Sequence, residues 1–252
     1  MSSLNKLPAI TFSFWIMKIC ATTLGETAGD LFSMTMNIGY AISSLILLGF
    51  FFRMLFAQLS SKKFKPIIYW TTILATSTAG TTISDFMDRT LGLGYAMGSI
   101  ILASLLTVTL IAWKVTEKSL SVSDIVSKRG EIFYWTAILI SNTLGTALGD
   151  FLSDNSGLGF AGGAILIGSI LLLLVLLFYF TKISHIILFW LAFVLTRPFG
   201  ATFGDLLTKT SEKGGLDFGT KGSSLILFII LAVLVSISIF KLKKEATVAL
   251  KN

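Results

Sequence analysis

Thr23-Leu24-Gly25-Glu26-Thr27-Ala28-Gly29-Asp30 closes the first apolar stretch of the chain, and it returns three times. Its copies are Thr78-Ala79-Gly80-Thr81-Thr82-Ile83-Ser84-Asp85, then Thr143-Leu144-Gly145-Thr146-Ala147-Leu148-Gly149-Asp150, and finally Pro198-Phe199-Gly200-Ala201-Thr202-Phe203-Gly204-Asp205. In every copy the Asp stands fifteen residues after a Trp (Trp15, Trp70, Trp135, Trp190) and five after a Gly. An ionisable residue repeated within apolar sequence is a candidate functional group, because burying it without purpose is costly.

The surroundings set the class. Of 252 residues 54% are hydrophobic and 13% charged, and the mean hydropathy is +0.85, which no ordinary water-soluble domain shows. Apolar runs long enough to cross ~30 Å of hydrocarbon as helix recur. Eight are expected, roughly at 9–31, 38–58, 66–87, 94–114, 131–152, 159–181, 185–207 and 222–241. Strand-type alternation is absent, so the fold class is an all-α membrane protein with eight transmembrane helices.

The formal charge of +7 does not point to nucleic acid once its placement is considered. Fourteen Lys and Arg fall near the N-terminus, the second, fourth and sixth connections and the C-terminus, against four in the opposite loops. The positive-inside rule then places both termini in the cytoplasm of a multi-pass cell-membrane protein. The single Cys20 cannot form an internal disulfide and is expected to fill space, and no Cys/His metal spacing exists. The first apolar stretch carries Trp15 and Asp30, so it is read as a retained helix and not as a cleaved signal peptide.

Successive repeat Asp residues lie 55, 65 and 55 positions apart, which suggests a two-helix unit duplicated and then duplicated again. The expected halves are 1–120, with repeats 1–60 and 61–120, and 121–252, with repeats 121–183 and 184–252. An even number of helices per unit orients all four repeats alike, with any symmetry axis along the membrane normal. Even helices open on Gly39/Ser43, Gly94/Gly98, Gly159/Gly163 and Gly219/Ser223, a spacing that would serve close helix packing.

On a helix, positions three, four and seven before each Asp share its face. Those are Thr27, Glu26 and Thr23; Thr82, Thr81 and Thr78; Ala147, Thr146 and Thr143; and Thr202, Ala201 and Pro198. Such hydroxyl-and-carboxylate stripes should face the bundle interior. Oxygen donors suit hard divalent cations, and the scarcity of His and Cys disfavours zinc or copper. Lys18 and Arg197 have no charged counterparts in the other repeats; Asn142 stands where Arg197 stands, and Arg197 should pair with an acid of another helix. Asp88, Asp154 and Asp217 read as solvated loop residues. The plainer alternative is that each repeat Asp merely caps or packs its own helix end.

Gly25-Glu26-Thr27-Ala28-Gly29-Asp30 and its three counterparts resemble those of a family of uncharacterised bacterial integral membrane proteins built from four GExxGD-like repeats. The similarity spans essentially the whole chain, although Arg197-Pro198-Phe199-Gly200-Ala201-Thr202-Phe203-Gly204-Asp205 departs most from the pattern. The resemblance implies a bacterial-type membrane-anchored protein and brings neither activity nor substrate.

The leading expectation is a transporter or exporter of a small cation, a hard divalent metal such as Mn, Mg or Ca, with coupling to protons as an option. Asp30, Asp85, Asp150 and Asp205 would be the metal ligands; Glu26, Thr23, Thr78, Thr143 and Asn142 would complete the ion path, with no resident cofactor. The partners expected are the lipid bilayer and the cation. The rivals are a small organic or anionic solute held by Lys18 and Arg197, and a non-transporting regulator or scaffold. No enzyme class gains support: an aspartyl hydrolase needs one proton-sharing Asp pair, not four equivalent residues.

Overall fold

A computed structural model describes residues 6–122, 125 and 127–249. Lys251 and part of the fourth connection therefore lie outside the described residues. The described residues form eight long helices: α1 Phe12–Asp30, α2 Tyr40–Ser60, α3 Pro66–Asp85, α4 Tyr95–Glu117, α5 Lys128–Asp150, α6 Gly159–Phe180, α7 His185–Thr208 and α8 Gly219–Ala249. Local chemistry fixes several starts. The Thr11 hydroxyl accepts from Phe14 N at the head of α1, Ser127 does the same from Gly130 N for α5, and Pro66 occupies the first turn of α3.

Six of the helices are long and apolar enough to cross a membrane by length and composition: α2, α4, α5, α6, α7 and α8. The two that fall short, α1 and α3, are interrupted by polar side chains: α1 carries Lys18, Glu26 and Asp30, and α3 carries Asp85 and eight Thr and Ser residues. Position explains this. α1 packs on α3, α3 on α5, α5 on α7 and α7 on α1, a closed inner ring. The outer helices cover it, each resting on the ring helix of the next repeat: α2 on α3, α4 on α5, α6 on α7 and α8 on α1. In its most apolar window α5 is 72% buried, whereas the outer helices are 17–28% buried. Polarity sits in the ring and apolar surface faces outward.

Glycine sets the spacing of the ring. A Cβ on Gly25 would strike Ser77, one on Gly80 the backbone of Asn142 and Thr143, one on Gly145 Arg197 and Pro198, and one on Gly200 Thr22. Thr22, Ser77, Asn142 and Arg197 are equivalent positions, so each repeat presses its glycine against the same point of the next, and the fourth closes on the first. The expectation that Gly39, Gly94, Gly159 and Gly219 pack helices is corrected. All four have φ between +65° and +82° with open space where a Cβ would be, and they serve the turn that aims the outer helix. The residues four further on do pack: Ser43 and Ser223 are buried, Gly98 abuts Asp88 and Gly163 abuts Thr202.

The two ends of the ring differ. At one end each residue before a repeat Trp meets the next repeat's Trp: Phe14–Trp70 at 5.6 Å, Tyr69–Trp135 at 5.6 Å, Tyr134–Trp190 at 6.4 Å and Phe189–Trp15 at 5.8 Å between centroids. The Tyr69 and Tyr134 hydroxyls bond across this plug at 2.7 Å. A strap before α1 lies over the same end, with Leu7 buried and Lys6 Nζ 2.8 Å from Glu131 Oε2. The other end holds the repeat Asp residues. After Asp30, Asp85 and Asp150 the helix widens into a π turn, whereas α7 ends at Thr208 and a longer loop follows.

Candidate functional site

Four tiers of side chains, one every fourth residue of α1, build the ring interior toward its acidic end. The first tier, Lys18, Ile73, Ile138 and Phe193, is fully buried. Lys18 Nζ lies 4.0 Å above the Phe193 ring and reaches Asn142 Oδ1 at 3.4 Å, while Asn142 Nδ2 donates to Thr76 Oγ1 at 2.8 Å. No carboxylate among the described residues forms an ion pair with Lys18.

The second and third tiers are tied together by Arg197. Its guanidinium, with no exposure, sits among all four ring helices. Nη2 pairs with Glu26 Oε2 at 2.8 Å and donates to Thr81 Oγ1 at 2.6 Å and Thr146 Oγ1 at 2.7 Å, with longer contacts from Nη2 to Ser77 O and Nη1 to Thr22 O, both 3.4 Å. A buried guanidinium needs both a counter-charge and hydrogen-bond acceptors, and three repeats contribute them at Nη1 and Nη2, whereas Nε has no partner among the described residues. Arg197 thus pairs with an acid of another helix, as its sequence context suggested. Pro198 follows it inside α7 and, lacking an N–H, cannot donate to Val194 O one turn back, while Thr202 Oγ1 donates to Pro198 O at 3.0 Å.

The fourth tier is the Asp set. Asp30, Asp85, Asp150 and Asp205 are 2–4% exposed and gather at one end of the ring, in two bridged pairs. Lys209 Nζ lies 2.7 Å from Asp30 Oδ2 and 3.0 Å from Asp205 Oδ1. Arg89 Nε lies 2.9 Å from Asp85 Oδ1, and its Nη2 3.2 Å from Asp150 Oδ2. The pairs cross the repeat boundaries: each joins the end of one four-helix half to the start of the other. Burial opposes the charge of Lys209, but Asp205 and Asp30 outweigh it and raise its pKa above the ordinary lysine value.

Arg89 and Lys209 are the residues that reading the sequence missed. Both were counted as outer-loop charges, yet each follows a repeat Asp by four residues, the spacing of a helical ion pair. The equivalent positions in the first and third repeats are Met34 and Asp154, so only alternate repeats supply a cation. Along the ring interior the five carboxylates Glu26, Asp30, Asp85, Asp150 and Asp205 outnumber the four cations Lys18, Arg89, Arg197 and Lys209 by one. Asp88 also departs from expectation: it is 6% exposed and accepts from Ser84 Oγ at 3.2 Å, whereas Asp154 and Asp217 are exposed.

Among the described residues Glu26, Asp30 and Asp205 each present one carboxylate oxygen within 4.8 Å of the others, close enough to ligate one metal ion. Asp85 and Asp150 form the neighbouring pair on the far side of the ring. The neutral donors are not brought to this point. Thr23 and Thr143 donate to the carbonyls four residues back at 2.9 Å, Thr78 does so to Leu74 O at 3.2 Å, and Asn142 is engaged by Lys18 and Thr76.

A model of the DUF347 family, described as a repeat of unknown function, matches residues 13–64, 68–119, 133–184 and 188–243. The chain belongs to the DUF347 family. The four matches each contain one ring helix and the outer helix that follows, so the family's repeat is the two-helix unit of this fold. No curated protein and no solved structure matches the chain.

Proposed function

We propose that this DUF347 protein is a multi-pass carrier of a small hard cation in a bacterial cell membrane. On this reading all eight helices span the bilayer, the four repeats point the same way, and both termini are cytoplasmic. α1 and α3 cross inside a sheath of the other helices, so their low hydropathy is no obstacle. The acidic end faces outward and the aromatic plug and its basic fringe face the cytoplasm.

The observation that carries this reading is the Glu26–Asp30–Asp205 triad, three buried carboxylates near enough to share one ion. Their present partners, Arg197 and Lys209, are cations of the protein itself. An entering divalent ion would displace them, and they would return when it leaves, so the site never holds bare negative charge. A scaffold needs none of this, because well-packed apolar residues replace buried ion pairs at no loss of stability. Mn²⁺, Mg²⁺ and Ca²⁺ share the oxygen preference, and Mn²⁺ is the practical probe.

The test is cellular. Cells expressing the wild type should differ from cells lacking the protein in Mn²⁺ content and tolerance, and Asp30→Asn with Asp205→Asn should abolish that difference at equal membrane abundance. Unchanged Mn²⁺ content and tolerance in the double variant would reject the proposal.

A further inference from the structure

Two cations are wholly buried inside the ring, and they are not alike. Arg197 has a carboxylate, Glu26, at 2.8 Å and two hydroxyls closer still. Lys18, with no exposure, has one acceptor, Asn142 Oδ1, at 3.4 Å and the face of Phe193. An ammonium carries three donors, so two find no polar acceptor there. Among the described residues the Phe193 face and the Asn142 oxygen are what hold its charge, so little added repulsion is needed to remove a proton. Arginine stays charged in any such site, whereas lysine exchanges its proton readily.

The surroundings single out one charged neighbour. Arg197 of α7 acts electrostatically on Lys18. α5 presents Asn142 and, through it, α3 presents Thr76; α8 meets α1 through Ser224 and Leu227. On α1 itself the nearest acid is Glu26, two turns on and engaged with Arg197. The charge state of Lys18 therefore answers to whether Arg197 is neutralised by Glu26.

We infer that Lys18 is the proton-exchanging partner of the cation site, so that binding a divalent cation at Glu26, Asp30 and Asp205 expels a proton from the Lys18 ammonium. The inference rests on the cation-carrier reading and adds its coupling ion. The incoming ion takes Glu26 from Arg197; the guanidinium charge, no longer compensated, then repels the ammonium a tier away. An N–H bond of Lys18 breaks, its electron pair stays on Nζ, and the proton leaves on water as hydronium. Release of the ion returns Glu26 to Arg197, and Nζ takes a proton back from hydronium, leaving water.

The experiment adds Mn²⁺ to the purified full-length protein in weakly buffered detergent. Bound Mn²⁺ is read by electron paramagnetic resonance, and released protons by a pH-indicator dye. The wild type should release protons as Mn²⁺ binds; Lys18→Met should bind Mn²⁺ and lose that release. Asn142→Asp gives a second variant that does not depend on removing the lysine: a carboxylate beside Lys18 pins its ammonium, so release should again be lost. Undiminished release from either variant, or failure of Lys18→Met to bind Mn²⁺, overturns the assignment while leaving the carrier reading standing. A wild type that binds no Mn²⁺ overturns both.

Discussion

The acidic and aromatic ends of the inner ring are built from the same four repeats and hold themselves together by opposite means. At the aromatic end four Phe or Tyr rings pack on four Trp rings in sequence, and one hydroxyl pair satisfies itself. Such contacts have no ready substitute partner from solution. At the acidic end two cations, with side chains 22% and 29% exposed, clamp four buried carboxylates. A soluble cation can compete for those carboxylates. On the carrier reading one end seals and the other exchanges, with the tier of Arg197 between them.

That contrast breaks most sharply at the divide itself. Arg197→Met strands Glu26 in the interior and should cost about 3–5 kcal/mol, read as a large fall in the thermal midpoint in detergent. Adding Glu26→Gln should recover most of the loss; a double variant no more stable than the single would deny that the pair is the source. Next in size, Gly80→Val drives a side chain into the backbone of α5, and should cost about 1–3 kcal/mol in the same assay. Retained wild-type stability would mean that the ring is not set by that approach. At the aromatic end, Tyr69→Phe removes one partner of the buried hydroxyl pair, about 1–3 kcal/mol, and should leave Mn²⁺ affinity untouched. Lys209→Gln leaves Asp30 and Asp205 without their shared cation; the lysine is partly exposed, so the cost should stay below that of Arg197→Met, at about 1–3 kcal/mol. It should also alter Mn²⁺ affinity, and identical affinity would argue that Lys209 does not compete with the ion.

Much of this was legible in the sequence because the repeat fixed it. The Trp-to-Asp interval located the ring helices, the hydroxyl stripes told which face points inward, and Arg197 beside Pro198 announced an interior pair. The pairing of the four Asp residues was not legible. Spacing along the chain grouped Asp30 with Asp85 and Asp150 with Asp205, whereas closure of the ring groups Asp85 with Asp150 and Asp205 with Asp30. Closure is a tertiary fact that no local pattern carries. Arg89 and Lys209 were hidden for a related reason: the helix continues as a π turn after Asp85, and Lys209 caps α7, so residues counted as loop fold back over the ring. The glycines at the starts of the outer helices misled because a turn requirement and a packing motif leave the same letter.

The most direct test is Mn²⁺ flux into proteoliposomes holding a fluorescent Mn²⁺ indicator, comparing wild type, Asp30→Asn with Asp205→Asn, and Tyr69→Phe. Wild type and Tyr69→Phe should admit Mn²⁺ at similar rates, and the double Asn variant should fall to the rate of protein-free vesicles. Flux in the double Asn variant equal to wild type would contradict a cation site at the acidic end of the ring.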